Sequence, residues 1–153
     1  MALQTFSHVG ICVRDLDRST RFYVDVLGFA ELFTMHFDDE LAATMERDGG
    51  FTSRMLRRDD VRIELLAWDD GRVDGDGTRR PMDRLGFTHL CFRVDDATEL
   101  FDLAARAGGA AHPATTTTLD ATGVTVVYLT DPDGVRIECM AGSPDLAQFP
   151  APG

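Results

Sequence analysis

The stretch VRIELLAW at residues 61–68 returns later in the chain as VRIECM at residues 135–140. When Glu64 is aligned with Glu138, four consecutive residues, Val-Arg-Ile-Glu, are identical in the two copies. Both copies are apolar runs of the length of a strand, and each carries one carboxylate at the same place. The pattern predicts a strand that occurs twice in the fold.

A second repeat lies upstream of each copy of this strand. Aligning His8 with His89 places HVGICVRDLDRST over HLCFRVDDATELF and brings Gly28 onto Gly109. In each copy a β-patterned run that begins at His leads to an acidic pair and then to a helical run that ends in Gly. Because the two repeats occur in the same order, they indicate an internal duplication. The difference in spacing requires only a longer loop near 38–50 in the first copy.

Each copy predicts a strand, a helix and three further strands, so the expected fold class is α+β, built from two tandem βαβββ modules. The predicted strands lie near 6–14, 30–36, 51–57, 61–68, 86–94, 110–115, 124–130 and 134–140, and the helices near 16–27 and 96–107. We expect one domain over residues 1–153, with modules at 5–68 and 85–141, a Gly-, Asp- and Arg-rich linker at 69–84 and a tail at 142–153.

Residues typical of helix ends support the two helices. Asp15 or Asp17 can cap the first helix, and Gly28 can end it in the left-handed conformation. In the second helix, Asp96 has capping-box spacing to Glu99, with Asp in the capping role. The pair Gly108-Gly109 can end that helix.

The charge and hydrophobicity of the chain argue against a nucleic-acid partner and against a membrane-spanning segment. The net charge is −11, which disfavours binding to a phosphate backbone, and all 15 basic residues are Arg. No apolar run reaches the roughly 18 to 20 residues of a membrane helix. The segment MALQTFSHVG lacks the basic and apolar parts of a signal peptide, so we expect a cytoplasmic location. The three cysteines, Cys12, Cys91 and Cys139, form no CxxC pair, and we expect them to be reduced, small core residues.

The duplication turns four scattered side chains into a candidate metal site. Two imidazoles and two carboxylates suit a divalent first-row ion and leave two positions for water or substrate. A single His or Glu in a strand is more often a solvated or satisfied polar group. Two carboxylates in apolar runs need a partner, however, because an unpaired buried charge is costly. The four candidate ligands are His8, Glu64, His89 and Glu138.

Arg62 and Arg136 offer the best explanation without a metal, because each lies two residues before a Glu and shares its strand face. The same alternation predicts that Cys12, Cys91 and Met140 line a substrate pocket beside the ligands. His36 and His112 have no His at the equivalent place in the other copy, and we interpret them as surface or pocket-rim residues.

Three segments together resemble one known superfamily, the vicinal oxygen chelate (glyoxalase/bleomycin-resistance/dioxygenase) proteins. They are HVGICVRDLDRSTRFYVDVLGF at 8–29, FTHLCFRVDDATELFDLAARAGG at 87–109 and YLTDPDGVRIECM at 128–140. The resemblance implies a pseudo-two-fold, partly open β-barrel around a metal site, and a homodimer. It also implies one divalent ion (Ni, Co, Zn or Mn) held as in bacterial glyoxalase I by the residues at His8, Glu64, His89 and Glu138.

For the reaction, the resemblance implies a metal-dependent lyase or isomerase of the lactoylglutathione lyase type. Such an enzyme shifts a proton next to a carbonyl through an enediolate, with Glu138 as the first choice of base and Glu64 as the second. The expected substrate is a small carbonyl or thioester-type molecule. Neither the loop at 38–50 nor the linker carries a recognisable glutathione-binding signature, so the substrate stays open.

Three alternatives remain within the same superfamily. Methylmalonyl-CoA epimerases are similar but usually carry Gln at the position of Glu64. Extradiol dioxygenases bind iron through positions that match His8, His89 and Glu138, without a carboxylate ligand at position 64. Metal-free ligand-binding or resistance proteins lack these ligands altogether.

Overall fold

The computed structural model describes residues 4–145. The chain forms two compact units, Met1–Asp76 and Gly77–Gly153. The boundary between them falls inside the predicted linker. The predicted tail at 142–153 lies mostly outside the described residues, which end at 145.

The two units contain the same succession of elements. In the first they are β1 (Val9–Cys12), α1 (Leu16–Arg21), a π-helical turn (Phe22–Val26), β2 (Ala30–Phe37), a 3₁₀ turn (Asp39–Leu41), α2 (Ala42–Met45), β3 (Phe51–Arg58) and β4 (Val61–Trp68). In the second they are β5 (Leu90–Val94), α3 (Glu99–Arg106), β6 (Ala110–Thr118), β7 (Thr125–Thr130) and β8 (Arg136–Ala141).

Each unit has one four-stranded mixed sheet. The strand orders are β1-β4-β3-β2 and β5-β8-β7-β6. The first and last strands of each module pair in parallel, and the remaining neighbours pair antiparallel. The predicted βαβββ modules are therefore confirmed. Over residues 4–145 all strand pairing stays within one sheet or the other.

Alternation along the last strand of each module separates the core from the candidate ligands. Ile63 and Leu65 of β4 are fully buried, as are Ile137 and Cys139 of β8. Side chains at odd and even positions of a strand point to opposite faces. Glu64 and Glu138, each between two buried residues, therefore lie on the face away from the core.

The first predicted helix is confirmed in position, but its geometry changes part-way. The Asp15 side chain accepts a hydrogen bond from the backbone N–H of Arg18 at 2.9 Å, which confirms it as a cap. The chain is α-helical over Leu16–Arg21 and π-helical over Phe22–Val26, where Phe22 and Tyr23 are fully buried. Gly28, with φ at +70°, follows the end of the helix as predicted.

The predicted start of the second helix is wrong by three residues. The N-cap residue is Thr98, whose side chain makes no capping bond, and α3 begins at Glu99. Asp96 instead accepts hydrogen bonds from the backbone N–H and the hydroxyl of Thr98, at 2.8 and 2.7 Å. These local bonds hold a turn ahead of the helix, because a short Asp side chain competes with helical bonding. The predicted glycine stop is confirmed, with Gly108 at φ +82°.

The extra residues of the first module fold into the two short helical elements between β2 and β3. Arg47, just after α2, donates to the Asp70 carboxylate at 2.7 Å and to the Arg72 carbonyl at 3.0 Å. Its guanidinium also lies 4.0 Å above the Trp68 ring. Arg47 therefore links the longer loop between β2 and β3 to residues at and just after the end of β4.

The turn before β8 is closely packed against the start of the second unit. The Asp131 side chain accepts from the backbone N–H groups of Asp133 and Val135, at 2.9 and 2.8 Å. Gly134 has φ at +86°, and a Cβ there would lie 2.5 Å from the Gly77 carbonyl oxygen. The segment that begins at Gly77 thus depends on a glycine at this turn.

Gly134→Ala should therefore destabilise the protein more than Gly71→Ala. Both glycines have positive φ, which costs a non-glycine residue about 1 to 2 kcal/mol. Nothing lies within 4 Å of a Cβ at Gly71, so only the alanine at position 134 must also displace a backbone carbonyl. Urea unfolding of the two variants measures the difference, and equal losses would contradict this packing.

Candidate metal centre

The first unit brings two of the predicted ligands into contact. His8 immediately precedes β1, which runs parallel to β4 with Gly10 opposite Glu64. The Nε2 atom of His8 lies 3.2 Å from Oε2 of Glu64. A Cβ at Gly10 would lie 3.8 Å from the same carboxylate oxygen, which is an ordinary van der Waals contact.

Hydroxyl groups contact the atoms of His8 and Glu64 that point away from each other. Ser7 Oγ lies 2.9 Å from Nδ1 of His8, and Ser53 Oγ donates to Oε1 of Glu64 at 2.5 Å. Ser53 is fully buried. A metal-binding histidine usually has its other ring nitrogen fixed in this way, which sets its tautomer and orientation. Nε2 and Oε2 are the atoms that remain facing each other.

The second unit repeats this arrangement with the same atoms. Nε2 of His89 lies 3.3 Å from Oε2 of Glu138. Thr88 Oγ1 lies 2.9 Å from Nδ1 of His89, and the Tyr128 hydroxyl donates to Oε1 of Glu138 at 2.8 Å. We call the pair His8 with Glu64 the first half-site and the pair His89 with Glu138 the second half-site.

The two half-sites differ in the residues opposite the carboxylates. Met55 is opposite Glu64 in β3, whereas Tyr128 is opposite Glu138 in β7. Desolvation and the hydrogen bond to Glu138 raise the pKa of Tyr128 to about 12, so the phenol stays protonated and donates. Cys91 takes the place that Gly10 has in the first unit, and desolvation together with Glu138 raises the pKa of its thiol to about 12.

In each half-site, the imidazole nitrogen and the carboxylate oxygen are spaced as two neighbouring ligands of one metal ion would be. Ligands at right angles with bonds of about 2.1 Å have donor atoms about 3.0 Å apart. The observed separations of 3.2 and 3.3 Å are close to that value. Within residues 4–145, neither unit by itself contains a group of three or more His, Cys, Asp or Glu residues suited to a metal ion. Each half-site thus supplies two donors.

The alternative without a metal, in which Arg62 and Arg136 pair with the two glutamates, is wrong for both modules. Arg62 donates to the backbone carbonyls of Ser7 and Phe6 at 2.7 and 3.1 Å, and Arg136 donates to the carbonyl of Arg80 at 3.0 Å. Both arginines are thus directed to backbone oxygens. In the described part of the chain, neither guanidinium forms an ion pair with the Glu two residues further on.

The other predicted residues divide between the site and the surface. Cys12 and Cys91 are exposed, so their assignment to the core is wrong, whereas Cys139 is buried as expected. The reason is strand alternation, which puts Cys91 on the face of Glu138 and Cys139 on the opposite face. Met140 is half-buried, two residues beyond Glu138 and hence on the same face.

The two remaining histidines have different environments. His36 is half-exposed and lies 2.8 Å from the Asp69 carboxylate, whose hydrogen bond raises the pKa of the ring. His112 is not a surface residue, because it is partly buried and its Nε2 lies 3.1 Å from the Thr130 hydroxyl. Desolvation, followed by the charges of Arg79 and Arg136, lowers the pKa of His112.

The sequence pattern missed Ser53 and Tyr128. These residues hold the two carboxylates, yet their positions do not correspond in the repeat. Ser53 lies opposite Leu66, diagonal to Glu64, whereas Tyr128 lies directly opposite Glu138. Only the register between neighbouring strands could have revealed them.

The chain belongs to the Glyoxalase/Bleomycin resistance protein/Dioxygenase superfamily, whose profile matches residues 5–139. A glyoxalase family protein from Bacillus cereus has a similar structure, with a TM-score of 0.73, 20% identity and coverage of 92% of this chain and 97% of that one. A glyoxylase/bleomycin resistance protein/dioxygenase domain from Frankia sp. is 29% identical, with a TM-score of 0.60 and coverage of 93% and 94%.

A variant of glyoxalase I from Zea mays is 20% identical, with a TM-score of 0.61, and the match covers 90% of this chain and 45% of that one. No curated protein sequence matches this chain. None of the helices described over residues 4–145 has the length and apolar character needed to cross a membrane.

The lowered pKa of His112 gives a test of the charges around it. Arg136→Gln should raise the pKa of His112 toward its ordinary value of 6.5, because a nearby positive charge disfavours protonation of the ring. Arg62→Gln, the equivalent change in the first module, should leave it unchanged. NMR titration of the histidine ring protons measures both, and an unshifted midpoint in the Arg136 variant would contradict the arrangement.

Proposed function

We propose that this protein is a glyoxalase-type, metal-dependent lyase or isomerase that moves a proton between carbons next to a carbonyl. The observation that carries the proposal is the matched contact in both modules. His8 Nε2 meets Glu64 Oε2 at 3.2 Å, and His89 Nε2 meets Glu138 Oε2 at 3.3 Å. In both, the remaining Nδ1 and Oε1 atoms already have hydroxyl partners.

In this proposal the two half-sites together hold one divalent ion, Ni, Co, Zn or Mn. Two protein donors are few for a tightly bound ion, whereas two imidazoles and two carboxylates leave two positions for a chelating substrate. The small substrate would carry a carbonyl or a thioester. A divalent ion, when bound, withdraws electron density from a substrate carbonyl oxygen and makes the hydrogen on the adjacent carbon more acidic.

The chain itself supplies the proton transfer. Glu138 is the proposed base. On loosening from the ion it would accept the proton at Oε2, because Oε1 is already occupied by the Tyr128 hydroxyl. Returning that proton to the neighbouring carbon leaves the substrate's oxidation state unchanged. Glu64 is the second choice because its Oε1 is held by Ser53 in the same way.

The contact between Glu64 and His8 favours this reaction over the alternatives. Extradiol dioxygenases have no carboxylate ligand at this position, and methylmalonyl-CoA epimerases usually have Gln there. Metal-free binding proteins of the superfamily lack the ligand set. The Glu64 carboxylate lies 3.2 Å from the His8 imidazole, as the proposed ligand set of the glyoxalase I type requires.

We also propose that the protein is a homodimer. The edge strands β2 and β6 have no further strand partner within residues 4–145, and open sheet edges are commonly covered by a second copy. Sedimentation at micromolar concentration should give twice the mass of the 16.8 kDa chain. A monomer mass would contradict this.

Glu138→Gln should lower the rate of proton transfer about 10² to 10⁴-fold while most of the metal is retained, because the base is lost and the other three ligands remain. His8→Ala and His89→Ala should lose both metal and activity. Glu99→Gln, at an exposed position of α3, is the control that removes one carboxylate and changes neither. The substrate is the hemithioacetal of methylglyoxal and glutathione in deuterated buffer, and metal content is measured in parallel.

The other outcomes decide against parts of the proposal. Full exchange in the metal-loaded Glu138→Gln protein would move the base role to Glu64. Exchange that survives in both Glu variants would overturn the redox-neutral mechanism. No turnover with any of the four ions would overturn the lactoylglutathione lyase assignment, and bound iron with oxygen uptake would support an oxygenase.

A further inference from the structure

The sheet face that carries Glu138 also carries a group of polar side chains, and the proposed proton transfer uses only the Tyr128 hydroxyl among them. In the register of the second sheet, Glu138 is opposite Tyr128, which is opposite His112, and Arg136 is opposite Thr130. Directly opposed residues of neighbouring strands point to the same face. These four residues therefore lie beside the second half-site.

Within this group the side chains form contacts with each other. His112 Nε2 lies 3.1 Å from the Thr130 hydroxyl. The guanidinium carbon of Arg136 lies 5.7 Å from the centre of the Tyr128 ring. The Tyr128 hydroxyl reaches Glu138 at 2.8 Å. We call Arg136, Thr130, Tyr128 and His112 the polar cluster.

The charge of Arg136 is not neutralised by the residues that the structure describes. Its one hydrogen bond there goes from Nη2 to the carbonyl of Arg80, at 3.0 Å. The equivalent Arg62 of the first module differs, because both its Nε and its Nη2 are taken by backbone carbonyls. Among residues 4–145, no carboxylate forms an ion pair with Arg136 or with Arg79.

The equivalent face of the first sheet has no such group. Met55 stands opposite Glu64, and Phe33 and Met35 follow on β2, opposite Met55 and Ser53. Phe33 and Met35 are half exposed, at 48% and 44%. The residues that lie across from Glu64 on β3 and β2 are therefore apolar. The arginines of that face, Arg62 and Arg57, lie opposite each other further along the strands and donate to backbone carbonyls.

We propose that the polar cluster is a carboxylate-binding subsite, with Arg136 as its specificity-determining residue, and that the substrate is a carbonyl compound that bears a carboxylate. This rests on the proposed function, because the subsite orients the carbonyl toward Glu138. A planar guanidinium binds a carboxylate through two parallel N–H groups. The Tyr128 ring lies beside this guanidinium, with its centre 5.7 Å from the guanidinium carbon.

The spacing also limits the length of the substrate. Arg136 and Glu138 are two residues apart in a strand, which separates them by about 6.6 Å. The carboxylate should therefore lie a few bonds from the reacting carbon and not directly next to the carbonyl. Levulinate, in which two methylene groups separate the carboxylate from the ketone, is a small probe in which the two groups are not directly adjacent.

The test compares the binding of levulinate with that of its neutral amide, levulinamide, by isothermal titration calorimetry with and without a bound divalent ion. The wild-type protein should bind the acid at least about ten-fold more tightly than the amide. Arg136→Gln should lose about 10- to 100-fold in affinity for the acid and leave the amide unchanged, which also shows that the variant is folded. Arg136→Lys, which keeps the charge without the planar fork, should fall between them.

Arg106→Gln is the charge-matched control, because it removes one positive charge at an exposed position of α3 in the same unit, and it should bind the acid as the wild type does. Equal binding of acid and amide by the wild type would overturn the subsite. An equal loss for both ligands in Arg136→Gln would overturn it as well. Acid-selective binding in a protein that fails to exchange deuterium would support the subsite and overturn the proposed function.

Discussion

The parallel pairing of the first and last strands in each module is the constraint on which the candidate site depends. In β1 and β4 it places Gly10 opposite Glu64, and in β5 and β8 it places Cys91 opposite Glu138. The histidine just before each first strand is thereby brought within 3.3 Å of a carboxylate on the last one. A shift of one residue in either register would turn the carboxylate toward the core.

The two half-sites share their donor atoms but have different surroundings. Opposite Glu64 stands Met55, with Phe33 next to it on β2, whereas Tyr128 stands opposite Glu138, beside Thr130 and Arg136. The identical donor atoms of the two half-sites suit the single ion that we propose. A substrate whose two ends differ chemically, however, requires different residues beside the two half-sites. Duplication accounts for the ligands, and divergence of the neighbouring strands accounts for the proposed preference for an anionic carbonyl compound.

Sequence patterns predicted the βαβββ order and selected two His and two Glu as candidate ligands, because these features repeat along the chain. They failed where the structure depends on contacts between neighbouring strands or on local bonds. The repeat could not show that Tyr128 and Ser53 hold the carboxylates, since register decides this. Two exposed cysteines were assigned to the core for the same reason. Asp96 was assigned as a helix cap because its spacing to Glu99 is correct, although its side chain bonds to Thr98 ahead of the helix.

The most direct test of the central claim is an X-ray absorption spectrum of the zinc-loaded protein, with the metal-to-protein ratio measured on the same sample. If His8, Glu64, His89 and Glu138 hold one ion, the ratio is one ion per chain. The spectrum then shows two imidazole nitrogens and carboxylate oxygens at about 2.0 to 2.2 Å. Two ions per chain with one imidazole each, or a sulfur ligand at about 2.3 Å, would contradict it.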